Sequence, residues 1–461
     1  MAGGWSRTVA AGATCVAAII VPEHWAGAQD AGGLQVTGSV RFGAEYDDNS
    51  NLSATNEDSQ FLLYSDVSLG LVSETPTSRF AINVGGRIQY EDLDTGFEEN
   101  GFVNPNGSLS YSLEGADSRL ELSASIREAD VLDELFLDTD GDLLNDAVIS
   151  SVGTIQTTRY GVELEFGQTA PIGGALSYSR RERDYSNTVS PDLFDTETDT
   201  VRATINFRPR QTLTFRTFVE QTHYEADDVE QTDRTTTSFG IGTTYEIDPI
   251  LTFDGEVSFR EVDETTILGR TETDGVGLSF TLTREMPNGS IALFGDRNVT
   301  TDTTRTQLGV RREMELPRGS LGYSLAVSDS DTGDLVLLGT IDYLHETPNG
   351  EFTVALNQTA VANDDDEEVL RTSFDLGYSH ELTPVSNIGV SFGLDRTDDI
   401  GNGAVTEGTS ARLSVVYSQQ LTEDWDWQLG YEGRRNSPET GADATSNRIF
   451  ATIGRSFSIR P

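Results

Sequence analysis

Phe80-Ala81-Ile82-Asn83-Val84-Gly85-Gly86-Arg87-Ile88-Gln89-Tyr90 is the stretch that decides the fold. Phe80, Ile82, Val84, Ile88 and Tyr90 alternate with Ala81, Asn83, Gly85, Arg87 and Gln89. Successive Cβ atoms of a strand point to opposite sides, so such a segment carries one apolar and one polar face. The same period runs through Leu34, Val36, Val40, Phe42 and Tyr46, through Ile388, Val390, Phe392 and Leu394, and through Trp425, Trp427, Leu429 and Tyr431. Each run lasts about ten to fourteen residues before a turn, and no helical segment of note interrupts the series.

A soluble sandwich alternates too, so the connections decide where the strands sit. Short turns fall near Pro76, Pro171, Pro209, Pro249, Pro287, Pro317, Pro348 and Pro384. Four share a local repeat: Arg284-Glu285 leading to Pro287-Asn288-Gly289, Arg312-Glu313 to Pro317-Arg318-Gly319, His345-Glu346 to Pro348-Asn349-Gly350, and His380-Glu381 to Pro384. Every other connection is mostly longer and acidic, as in Asp47 to Ser59, Asp94 to Val103, Asp130 to Ile155 and Thr397 to Glu407. Tight turns at one end and long loops at the other are the asymmetry of a transmembrane up-and-down barrel. Strands are expected to begin near 34, 59, 78, 106, 118, 156, 172, 198, 211, 235, 250, 271, 289, 303, 318, 335, 350, 369, 386, 408, 423 and 446. The expectation is an all-β, antiparallel transmembrane barrel of about 22 strands, 20 or 24 if one hairpin is missed or split. An even count returns both termini to the periplasm.

Composition excludes other classes. Among 461 residues, 76 Asp and Glu oppose 31 basic residues, all arginine, for a net charge of −45. A phosphate backbone would be repelled, so nucleic acid is excluded as a partner. Disorder would suit the charge but not the 21 Phe, 14 Tyr and 4 Trp, which something must bury. After the first thirty residues no apolar run approaches the roughly 18 residues of a membrane helix.

Residues 1–28 read as a secretory signal peptide: Arg7, an apolar run from Thr8 to Val21, and the small-x-small site Ala26-Gly27-Ala28. Cys15, the only cysteine, would leave with it, so the exported chain holds no thiol. Residues 29–33 then form a short periplasmic N-terminus, and 34–461 the barrel. So short a lead leaves no room for a plug domain. At the other end Gly454-Arg455-Ser456-Phe457-Ser458-Ile459 is similar to the C-terminal signal of bacterial outer-membrane barrels, in which Gly454, Phe457 and Ile459 are the residues read by the barrel-assembly machinery.

Together the leader, the alternating segments and this hexapeptide resemble the proteobacterial outer-membrane β-barrel porins, over residues 33 to 461. Within that class, Ala44-Glu45-Tyr46-Asp47-Asp48-Asn49-Ser50-Asn51-Leu52 looks like the Tyr-Asp-Asp-Asn run after the first strand of barrels some of which accompany exopolysaccharide export. The resemblance implies a cell outer membrane location in a Gram-negative bacterium, with lipid and lipopolysaccharide as neighbours and polysaccharide as a conceivable cargo.

If the apolar face meets lipid, the other lines a lumen. The lining set is Arg41, Asp66, Arg87, Arg127, Arg159, Glu163, Arg202, Asp254, Glu256, Arg260, Asp342, Arg371, Asp375, Asp395, Arg412, Glu432 and Arg434. Barrels of 16 to 18 strands leave an aqueous channel, and larger ones stay open unless plugged. The first functional expectation is therefore a porin-like channel for hydrophilic solutes with mild cation preference, since carboxylate rings favour cations. An exopolysaccharide conduit, which wants an arginine-lined track, and a non-conducting structural or adhesive surface barrel are the alternatives. For each single charge, pairing across neighbouring strands is the plainer role.

In the longest loop, Asp138, Asp140, Asp142 and Asp146 surround Gly141 and resemble a hard-cation loop for Ca²⁺, without the full EF-hand spacing. No other cofactor is expected. Asp364-Asp365-Asp366-Glu367-Glu368 reads as a solvated loop tip able to bridge divalent cations at the lipopolysaccharide surface. Catalysis is not expected: His345 and His380 sit beside short turns, His223 lies near the outer end of a strand, and no Ser–His pair or His cluster has a recognisable spacing.

Overall fold

The structure is a computed structural model that describes residues 33–460 apart from 56, 94–99, 133–152, 189, 191–192, 302, 363–367, 401–406 and 440. The leader region therefore lies outside the described residues. In chain order the strands are β1 (Gly33–Asp47), β2 (Gln60–Glu74), β3 (Ser78–Leu93), β4 (Gly101–Glu114), β5 (Ser118–Asp130), β6 (Thr154–Phe166), β7 (Ile172–Ser186), β8 (Thr196–Arg210), β9 (Leu213–Ala226), β10 (Asp233–Asp248) and β11 (Leu251–Thr266). They continue as β12 (Gly269–Met286), β13 (Gly289–Val299), β14 (Thr304–Leu316), β15 (Gly319–Ser330), β16 (Val336–Thr347), β17 (Gly350–Ala362), β18 (Glu368–Thr383), β19 (Ser386–Asp399), β20 (Gly408–Gln420), β21 (Trp425–Pro438) and β22 (Ala444–Ile459). All belong to one 22-stranded antiparallel sheet. Each strand pairs with its neighbour in sequence, and β1 pairs with β22 from Val36↔Ile459 to Asp47↔Arg448. Closure removes the free edge, whose unpaired N–H and C=O groups would cost several kcal/mol each in hydrocarbon.

The large apolar side chains cover one face. Phe42 is 54% exposed, Ile88 54% and Phe239 60%. In water this would be an aggregation surface; on a closed barrel it is the surface lipid solvates. Glycine completes the seam between first and last strands: a Cβ at Gly38 would lie 2.2 Å from Cζ of Phe457, so the ring lies flat across the glycine where β22 meets β1.

Two details depart from expectation. The fourth strand begins at Gly101, not near 106. The expected loop runs to Val103, but the register shift between Gly85 and Arg87 and the positive φ of 49° at Asn104 carry Pro105 inside the strand as a bulge. The loops at the long-loop end include one tight turn, 267–268, between β11 and β12, two of the longest strands. Elsewhere the alternation holds, and Gly33 pairs with Glu74 at the short-turn end, where β22 also finishes.

Candidate functional site

Contacts that skip a strand identify the concave face. Arg41 on β1 donates to Asp426 on β21 at 3.0 Å, passing over Gly454 of the intervening β22. Side chains of next-nearest strands converge in this way only inside a barrel. The register then carries the face around: Arg41 lies opposite Asp66, and Asp66 opposite Arg87. Arg127 sits between Asn106 and Thr157, Arg159 between Ser125 and Arg181, and Glu163 between Glu121 and Ser177.

Most of the sequence-derived charges are drawn together as ion pairs. Arg87 clamps Asp66 at 2.7 Å and 3.2 Å and lies 3.9 Å over the Tyr64 ring. Arg202 meets Glu220 at 2.9 Å. Arg216 takes both oxygens of Asp254, at 2.7 Å and 2.9 Å, and Glu256 at 3.1 Å. Arg371 faces Asp395 at 3.5 Å, and Arg412 meets Glu432 at 2.6 Å. Arg260 instead donates to Asn298, to the Val299 carbonyl at 3.2 Å and to Ser238 at 3.3 Å. Asp342 lies between Gly322 and Ala355, and Asp375 between Ala355 and Gly393. The wall is a charge ladder whose arginines are largely held by carboxylates.

The densest network bridges the seam. Asp47 accepts from Arg434 at 2.6 Å, Ser446 at 2.7 Å and the Asn49 N–H at 2.9 Å. Arg448 donates to Glu45 at 3.2 Å and to Glu432 at 2.8 Å. The Asn49 amide donates to the carbonyls of Ser53 and Thr445, and Leu52 packs against Leu132 and Ala444. The Tyr-Asp-Asp-Asn run thus folds the first long loop over the interior and ties it to the last hairpin.

Other loops at the same end turn inward. Glu368 is 4% exposed and accepts from Arg305 at 2.6 Å, Ser330 at 2.6 Å and Thr303 at 3.2 Å. This corrects the expectation of a solvated tip: the last residue of the acidic run is a buried anchor, while 364–367 lie outside the described residues. Thr301 donates to Glu264 at 3.1 Å and its carbonyl accepts from Thr273, closing a cavity of about 220 Å³ bounded by Arg234, Arg260 and Tyr224. Asp331, in the loop after β15, accepts the Thr304 N–H at 2.7 Å and the Thr303 hydroxyl, which hold its carboxyl below the usual range. At the opposite end the Thr169 N–H and hydroxyl do the same for Asp117.

The short-turn end differs. Alternation from Phe294, Arg311, Asp342 and Asp375 places Glu285, Glu313, Glu346 and Glu381 on the interior face, one in each of the four repeats. All four are exposed, and none makes a side-chain hydrogen bond or ion pair among the described residues.

Asp138, Asp140, Asp142 and Asp146 lie outside the described residues. Sequence reasoning missed His223, Glu225 and Asp233, which the β9–β10 register brings together on the outer face, His223 Nε2 to Glu225 at 2.9 Å and Nδ1 to Asp233 at 3.6 Å. The signal was in pairing, not spacing: Asp233 lies opposite Glu225. Of the C-terminal residues, Phe457 lies opposite Gly38 and Ile459 opposite Val36, while Gly454 faces Arg41.

No family model matches the chain, and no curated protein matches it by sequence. Among solved structures, the ferric enterobactin receptor PfeA of Pseudomonas aeruginosa superposes with a TM-score of 0.56 at 10% identity, over 93% of this chain and 82% of that one. The FrpB iron transporter of Neisseria meningitidis gives 0.59 at 8% identity, over 93% and 82%. The ferric-catecholate import receptor Fiu of E. coli K12 gives 0.57 at 12%, again over 93% and 82%. At such identity the likeness is one of fold. The chain is a closed outer-membrane β-barrel of 22 strands, located in the outer membrane of a Gram-negative bacterium. These neighbours support an outer-membrane barrel and do not by themselves support the porin family or a link to exopolysaccharide export.

Proposed function

We propose that the barrel is a channel for hydrophilic solutes, cation-preferring and narrowed at its outer end by inward-folded loops. One observation carries this reading: the wall charges are mostly paired, whereas Glu285, Glu313, Glu346 and Glu381 stand unpaired on the interior face of the short-turn mouth. Unpaired carboxylates at a channel mouth attract cations and repel anions, while paired ones largely cancel. The structural neighbours are by name an iron transporter, a ferric enterobactin receptor and a ferric-catecholate import receptor, which supports transport as the coarse role.

Large outer-membrane transporters of 22 strands hold a plugged lumen. Here the described residues are all barrel strands and their connections. A polysaccharide conduit would need arginines free to meet its cargo, and carboxylates occupy most of them. Planar-bilayer recording in a salt gradient tests the proposal. The refolded protein should conduct, with a reversal potential of cation-selective sign that moves toward zero in E285Q/E313Q/E346Q/E381Q. A silent bilayer, or anion selectivity, would overturn it.

A further inference from the structure

The repeats that send glutamate inward send a basic group outward. Arg284 continues the outer face of Leu278 and Leu282, and Arg312 that of Leu308 and Val310. His345 follows Tyr343 on β16, and His380 follows Tyr378 on β18. Pairing sets them at the barrel's short-turn rim: Arg284 lies opposite Ile291 and Ile291 opposite Arg312, while His345 lies opposite Phe352 and His380 opposite Ile388. The imidazoles stack on the tyrosines, 6.1 Å apart at 12° for Tyr343–His345 and 6.0 Å apart at 11° for Tyr378–His380. Arg312 is oriented by bonds to the Ser290 carbonyl at 2.8 Å and to Asn288 at 2.9 Å, and Arg284 has no bonded partner among the described residues.

We propose that Arg284, Arg312, His345 and His380 form an arc that binds the phosphates of anionic phospholipids in the periplasmic leaflet. Two contrasts argue for it. From Arg284 to Ile388, no Asp or Glu occupies the outer face beside these four groups, although the chain carries −45. At the opposite rim four outward arginines have acids of their own, Arg180 with Glu182, Glu197 and Asp199, Arg270 with Asp263, Arg396 with Asp398, and Arg435 with Asp443, and Arg297 is the exception. The guanidinium fork suits a phosphate, an imidazole donates an N–H in either protonation state, and the tyrosines mark headgroup depth. Short turns mark the periplasmic end, where phospholipid and not lipopolysaccharide is met.

The test is native mass spectrometry of the full chain released from vesicles holding phosphatidylglycerol and phosphatidylcholine in equal parts. The wild type should keep phosphatidylglycerol in excess, and R284Q/R312Q/H345Q/H380Q should lose that excess about fivefold or more. R180Q/R270Q/R396Q/R435Q, which removes four acid-paired arginines of the other rim, should keep it. Should the fourfold variant fail to refold, R284Q/R312Q provides the same comparison with a smaller loss. An undiminished excess in these variants, an equal loss in the other-rim control, or displacement of the retained phosphatidylglycerol by added lipopolysaccharide would overturn the proposal.

Discussion

Replacing Arg434 by methionine should destabilise the barrel more than any other single change in its wall. Arg434 and Asp47 are 4% and 2% exposed at the side chain and meet at 2.6 Å. Methionine keeps much of the length of arginine but removes the charge. It leaves the Asp47 carboxylate buried with Ser446 and the Asn49 N–H as donors and Arg448 at 4.0 Å as its remaining cation. Breaking a buried pair from one side costs about 3–5 kcal/mol, because the orphaned charge keeps its desolvation penalty. Removing both charges in D47N/R434M should cost less than the sum of the two single changes, with a coupling of about 1–3 kcal/mol. Urea unfolding of the barrel in lipid vesicles, followed by tryptophan fluorescence, gives these numbers if the slope stays constant. A cost below about 1 kcal/mol for R434M, or additivity in the cycle, would show that water reaches the pair and that the seam is not held by it.

Further outcomes follow from neighbouring features. Leu52→Asp should release the first loop from Leu132 and Ala444 and raise single-channel conductance; an unchanged conductance would mean that this loop does not narrow the passage. Gly38→Ala must push Phe457 off its seat and should cost about 1–3 kcal/mol in the same unfolding assay. Asp331 has a lowered pKa in the folded state, so its staple to Thr304 contributes above the unfolded carboxylate value and is lost as pH falls through the folded one. The protection of the Thr304 amide, taken as its exchange relative to the intrinsic rate at each pH, should therefore fall on acidification, and Asp331→Asn should abolish that dependence.

The architecture was legible because the solvent on each side of the wall differs. Lipid outside and a polar interior impose period two on every strand, so Phe80 to Tyr90 announced its two faces without any partner being known. The start of the fourth strand was not legible because a strand can run through a proline in a bulge once its neighbour accommodates it. Interior residues such as Arg41, Asp66 and Arg87 could be assigned to a face, but their pairing needed the register. Glu368 looked solvated within an acidic run, because nothing local shows that Arg305 and Ser330 will reach it. The four Arg/His–Glu repeats were visible as turns, yet their division into outward cation and inward anion emerges only when the sheet gives each position a side.

The ties across the seam also bear on when the barrel can finish folding. Arg434 and Asp47 stand 387 positions apart, so Asp47 lacks its direct counter-charge until the last hairpin has been delivered. Until then Asp47 must stay hydrated, which opposes burying the leading edge too early. A chain cut short of its final hairpin would lack Arg434 and Arg448 and keep that edge wet. Completeness of the polypeptide is thereby tested by its own electrostatics at the moment of closure.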